Sequence, residues 1–78
     1  MASTAHKSPR PTARALIAEN LRRLRAENDW LQFELADRSG VDRSFIAHVE
    51  RQARNDSADT LDRLAIALQV PIGELFAG

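Results

Sequence analysis

The apolar residues of this chain recur at intervals of three and four, in short blocks separated by polar, glycine and proline residues. That spacing restricts the chain to an all-α bundle of short helices. Ile17, Leu21 and Leu24 stand at i, i+4 and i+7, Val41, Phe45, Ile46 and Val49 form a second set, and Leu61, Leu64, Ala65 and Leu68 a third. Each set lines one face of a helix with 3.6 residues per turn. No stretch alternates apolar and polar residues as a half-buried strand would. The breaks fall at Asn28-Asp29, Gly40, Asn55-Asp56-Ser57 and Pro71, residue types that cap, turn or end helices.

Read element by element, Thr12 is the expected N-cap of a first helix running to about Asn28. A second helix is expected over Leu31 to Ser39, with Leu35 and Ala36 inward, and Gly40 is expected to turn the chain in the left-handed conformation. Asp42 then caps a third helix reaching about Arg51, with Arg43, Ser44, Ala47 and Arg51 on the arc opposite its apolar residues. Asn55, Asp56 and Ser57 form a loop and cap before the fourth helix. Val70 to Phe76 reads as a short helical turn or a fifth helix. Residues 1–11 hold Ser3, Thr4, Ser8 and two prolines with almost nothing to bury, and are expected to be a flexible arm carrying His6, Lys7 and Arg10. Residues 12–78 are expected to form the one domain.

Length and composition narrow the function. Seventy-eight residues support one modest core and leave no room for a large enclosed substrate pocket. The absence of cysteine excludes thiolate metal sites and a cysteine nucleophile, and fits a reducing, cytoplasmic setting. No apolar run approaches the roughly 18 residues needed to cross a bilayer, so a soluble protein is expected. The two histidines are His6 and His48. His48 and Glu50 point about 200° apart on a helix and cannot share a metal or a proton. No enzyme activity, metal, cofactor or small-molecule ligand is therefore expected.

The net charge is zero, yet residues 1–55 carry ten Lys or Arg against seven Asp or Glu, and residues 56–78 carry one against four. The first part is thus +3 and the remainder −3, an asymmetry that lets one end of the molecule face an anionic partner.

Leu24-Arg25, Gln32, Leu35-Ala36, Gly40-Val41, Ile46, Glu50-Arg51, Asn55, Leu61, Leu64-Ala65 and the run Val70 to Phe76 together resemble the Cro and lambda-repressor-type helix-turn-helix family, also called the xenobiotic-response-element family. The resemblance covers about residues 14–76 and implies a compact, lambda-repressor-like bundle of about five short helices. The implied function is a transcriptional regulator that binds a double-stranded DNA operator as a homodimer. Its helix-turn-helix would span about Gln32 to Arg51, with recognition helix 42–51 in the major groove. Within the family, Val49-Glu50-Arg51-Gln52-Ala53-Arg54-Asn55 is similar to the corresponding run in controller proteins of restriction-modification systems. Phage repressors, antitoxins and stand-alone regulators share most of the same pattern.

The resemblance assigns Arg43, Ser44, Ala47 and His48 to base edges, where an arginine fork can hold O6 and N7 of guanine. Gln32, Arg51, Arg54 and Asn55 are assigned to phosphates. Arg43 also reads as a solvated charge or a phosphate contact, His48 as a plain surface histidine, and the run after residue 50 as a polar loop. Arg25 and Glu50 are different: projected along their helices they lie only about 40° from Leu21 and Ile46, and the family pairs these positions in a salt bridge. They are assigned to structure. Ile66, Leu75 and Phe76 are the expected dimer contacts.

Three positions depart from the family pattern. Leu31 replaces the usual Ser or Thr cap of the second helix, and Asp29 is the alternative cap if that helix starts one turn earlier. Gln52 replaces the usual glycine and either extends the third helix or takes a strained conformation. Phe33 replaces a polar residue. With Trp30 and Ile66 it supplies spare apolar surface, which keeps open an antitoxin or protein-interaction module in which DNA binding is secondary.

Overall fold

The computed structural model describes residues 11–52 and 58–78 and arranges them as four α-helices and a 3-10 helix: α1 (Ala13–Glu27), α2 (Gln32–Ser39), α3 (Arg43–Glu50), α4 (Ala58–Leu68) and the C-terminal 3-10 helix Ile72–Phe76. The Thr12 hydroxyl accepts the Ala15 N–H at 3.1 Å and caps α1 as expected. Asn28 ends that helix, returning its side-chain amide to the Leu24 carbonyl at 2.9 Å. Asp29 then takes a positive φ of 59° and does not cap α2. Helix α2 begins directly after Leu31. Leucine has no side-chain acceptor, and the Glu34 carboxylate meets the chain there by accepting the Leu31 N–H at 2.8 Å.

Gly40 has φ 74° and donates its N–H to the Ala36 carbonyl at 2.9 Å, the left-handed C-cap that a glycine adopts without steric cost. At the end of α3, Gln52 reaches φ 61° with its N–H on the Val49 carbonyl. Of the two alternatives for this position, strain rather than helix extension is the outcome. Replacing Gln52 with Gly is expected to stabilise the protein by about 1 kcal/mol, because the side chain disfavours this conformation by about that amount. Chemical denaturation of the two proteins tests it. The expected cap at Asn55 to Ser57 lies outside the described residues.

One core joins the helices. Leu21, Leu35, Ile46, Leu64 and Leu75 are completely buried, and Ile17, Leu24, Val41, Val49, Leu61, Ala65 and Leu68 pack around them. Leu75, expected at a dimer interface, is thus a core residue of its own chain and offers no surface to a partner. Helix α4 ends as Gln69 takes φ 59° and the Val70 N–H closes on the Ala65 carbonyl at 3.0 Å; Pro71 follows, and the 3-10 helix after it returns Leu75 to the bundle. Asn20 holds that return in place, its side-chain amide donating to the Leu75 carbonyl at 2.9 Å and to the Ala77 carbonyl at 2.8 Å.

Candidate nucleic-acid interface

Helices α2 and α3 are separated by the three residues Gly40, Val41 and Asp42. The turn is fixed at both ends. The Gly40 N–H closes α2, the Val41 N–H donates to the Ser39 hydroxyl at 3.1 Å, and the Val41 side chain is buried. Leu35 of α2 and Ile46 and Val49 of α3 then hold both helices on the core, which determines the face that α3 turns outward.

That outer face carries Arg43 and Ser44, both exposed, with Ala47 and His48 half-buried at its border. The Ser44 hydroxyl donates to the Asp42 carboxylate at 2.9 Å, leaving its lone pairs available as acceptors. The buried Nδ1 of His48 has no hydrogen-bond partner. Arg51 follows α3 and is exposed. Arg54 and Asn55, the other expected phosphate contacts, lie outside the described residues, as do the arm residues His6, Lys7 and Arg10.

Behind this face lies a buried charge cluster that aligns the helices. The Glu50 side chain is 5% exposed and that of Arg25 is 19% exposed. Arg25 grips Glu50 with two parallel bonds, Nε to one carboxylate oxygen at 2.9 Å and Nη2 to the other at 3.1 Å. Its remaining Nη1 donates to the Trp30 carbonyl at 2.8 Å, so one guanidinium ties α1, the turn before α2, and α3 together. A planar fork with this many donors fits a bidentate carboxylate as a lysine could not.

Gln32 belongs to the same cluster. Its amide donates to Glu50 at 3.0 Å, so the side chain expected on a phosphate is turned inward to a buried carboxylate that needs a third donor. Arg22, not anticipated from the sequence, donates to the main-chain carbonyl of Glu50 and so places a positive charge at the C-terminal end of α3. On α1 it lies about 60° from Arg25, the one sequence signal that pointed to it. Trp30 also differs from expectation: it packs against the core, and the Arg38 guanidinium lies 4.5 Å from its ring centroid. Among the described residues, the large apolar side chains left exposed are Leu31, Phe33, Ile66, Ile72 and Phe76.

Two short helices joined by a tight glycine turn, the first supporting and the second presenting a small polar and basic face, define a helix-turn-helix protein. The chain belongs to the helix-turn-helix family, whose profile matches residues 21–75, and the resemblance read from the sequence is borne out. A hypothetical transcription factor of Neisseria meningitidis is 37% identical over 62 residues, which cover 80% of this chain and 58% of that protein. This chain therefore spans little more than half of that relative. Control protein C.SmaI of Serratia marcescens is 42% identical over 60 residues, 77% of this chain and 71% of that one. Among solved structures, the restriction-modification controller protein C.AhdI of Aeromonas hydrophila superposes with a TM-score of 0.77 at 40% identity, over 81% of this chain and 96% of that one.

Proposed function

We propose that this chain is a sequence-specific transcriptional regulator that binds a palindromic double-stranded DNA operator as a homodimer, with the recognition helix in the major groove. The observation that carries the reading is the outer face of α3, where Arg43 and Ser44 stand exposed while the opposite face is locked into the core. Arg43, Ser44, Ala47 and His48 meet base edges. Arg51, with Arg54 and Asn55 beyond it, grips phosphates, and the first-turn N–H groups of α2 point the positive helix end at the backbone. The likeness to C.SmaI and C.AhdI favours control of restriction-modification genes as the biological setting.

The role is one of binding rather than catalysis, carried out in the cytoplasm by a domain of residues 12–78 behind an arm of residues 1–11. Among the described residues, no helix is long and apolar enough to cross a membrane. Selection from a pool of random duplexes tests the reading: a two-fold symmetric consensus is expected, and recovery of unenriched sequences would reject it.

Dimerisation through the acidic C-terminal third would space two recognition helices about 34 Å apart, one turn of DNA. Ile66 and Phe76, 67% and 41% exposed, are the proposed contacts, joined by Ile72 in place of the buried Leu75. Phe76→Asp and, independently, Ile66→Asp are each expected to shift the protein from dimer toward monomer at a fixed protein concentration, since either change puts a charge into an apolar contact. Sedimentation reads the result, and a wild-type monomer that still binds DNA at unit stoichiometry would reject the dimer. The exposed Leu31, Phe33 and Ile66 also suit a module that covers a partner protein. Co-purification of such a partner, without salt-dependent binding to duplex DNA, would favour that second reading.

A further inference from the structure

Phe33 has no role in the interface described so far, although it is 56% exposed at the second position of α2. A lone exposed apolar residue is ordinary. The surroundings of this one are not, because Phe33 and Arg43 together line two shallow depressions on the surface. One also takes in Leu31, Gln32 and the Arg25 side chain near the start of α2, the other Ala36, Gly40 and Val41 with the carboxylates Asp37 and Asp42 around the turn. The ring therefore stands between the helix end aimed at the phosphate backbone and the residue aimed at base edges.

Between those two points a DNA duplex presents sugar and the outer edges of bases. In the major groove the apolar group on those edges is the C5 methyl of thymine, and phenylalanine is among the side chains suited to it. We propose that Phe33 is a specificity-determining residue that contacts the C5 methyl of a thymine next to the base pair met by Arg43, so that α2 as well as α3 reads sequence. This rests on the regulator reading and extends it, since apolar contact with a methyl discriminates thymine from cytosine where a phosphate contact discriminates nothing.

The test removes the methyl and leaves the hydrogen-bonding edge intact. In the duplex selected by the unaltered chain, each thymine is replaced in turn by deoxyuridine, and binding of the wild-type and Phe33→Ala proteins is measured. One thymine in each half-site is expected at which the replacement weakens wild-type binding about fourfold, the effect of burying one methyl group. At that position Phe33→Ala is expected to bind the thymine and deoxyuridine duplexes equally, and Phe33→Leu to retain part of the preference. Circular dichroism of both variants is expected to match the wild type, since the side chain is outside the core.

A selected duplex with no thymine whose methyl effect depends on Phe33 would overturn this inference alone. So would a Phe33→Ala variant that binds its half-site normally and loses only dimerisation, or only capture of a partner protein. Failure to select any duplex would overturn the regulator reading and this inference with it.

Discussion

Arg25→Ala is expected to lower stability by about 3–5 kcal/mol, the usual cost of removing one member of a buried ion pair. The variant leaves the Glu50 carboxylate, 5% exposed, with the Gln32 amide as its remaining side-chain donor, and frees the Trp30 carbonyl as well. Small domains have stabilities of about 5–15 kcal/mol, so such a loss removes a large share of the total. Glu50→Ala is expected to be comparably damaging, since it strands the guanidinium. The double variant is expected to cost clearly less than the sum of the singles, because each single change already removes the shared bonds. Urea denaturation of the four proteins measures the coupling. An Arg25→Ala protein that unfolds like the wild type but binds DNA weakly would transfer Arg25 from the scaffold to the interface.

Arg43→Ala is expected to act on binding and leave the fold alone. The side chain is exposed at the first position of α3, and its removal opens no cavity. If its guanidinium holds O6 and N7 of a guanine, the variant loses about 1–3 kcal/mol on the selected duplex, little on scrambled DNA, and relaxes the preference at one base pair in each half-site. Arg54→Ala, altered four residues beyond Glu50 in the sequence, is expected to weaken both duplexes alike. It should also flatten the plot of log affinity against log salt by about one unit for each phosphate that the protein no longer neutralises. Equal weakening on both duplexes for Arg43→Ala would place that side chain on a phosphate and leave base reading to Ser44, Ala47 and His48.

The helices and most of the core were legible in the sequence, because an apolar stripe at helical spacing has one economical way to be buried. Gly40 marked the turn for an equally local reason. Arg25 and Glu50 were legible as a pair because both project toward the core and match positions that the family bridges. What the sequence concealed were bonds to main-chain atoms: Arg22 on the Glu50 carbonyl and Asn20 on the carbonyls of Leu75 and Ala77 depend on how the chain folds back, and acceptors carried by every residue leave no mark in composition. The family resemblance places Gln32 on a phosphate, and such a match does not register an acceptor buried on another helix. The demand of a buried carboxylate for a third donor turned the side chain inward. Leu75 was misplaced because an apolar residue near the end of a short chain suits a core and an interface equally, and Asn20, which anchors it, lies outside the apolar pattern.

The most direct measurement is the affinity of the unaltered chain for its selected duplex and for a scrambled duplex of equal length and composition, over a series of salt concentrations. A preference of at least about a thousandfold for the selected duplex is expected, with two chains bound to it. Both affinities should fall as salt is raised. Equal affinity for the two duplexes at every salt concentration would contradict a helix-turn-helix that reads sequence.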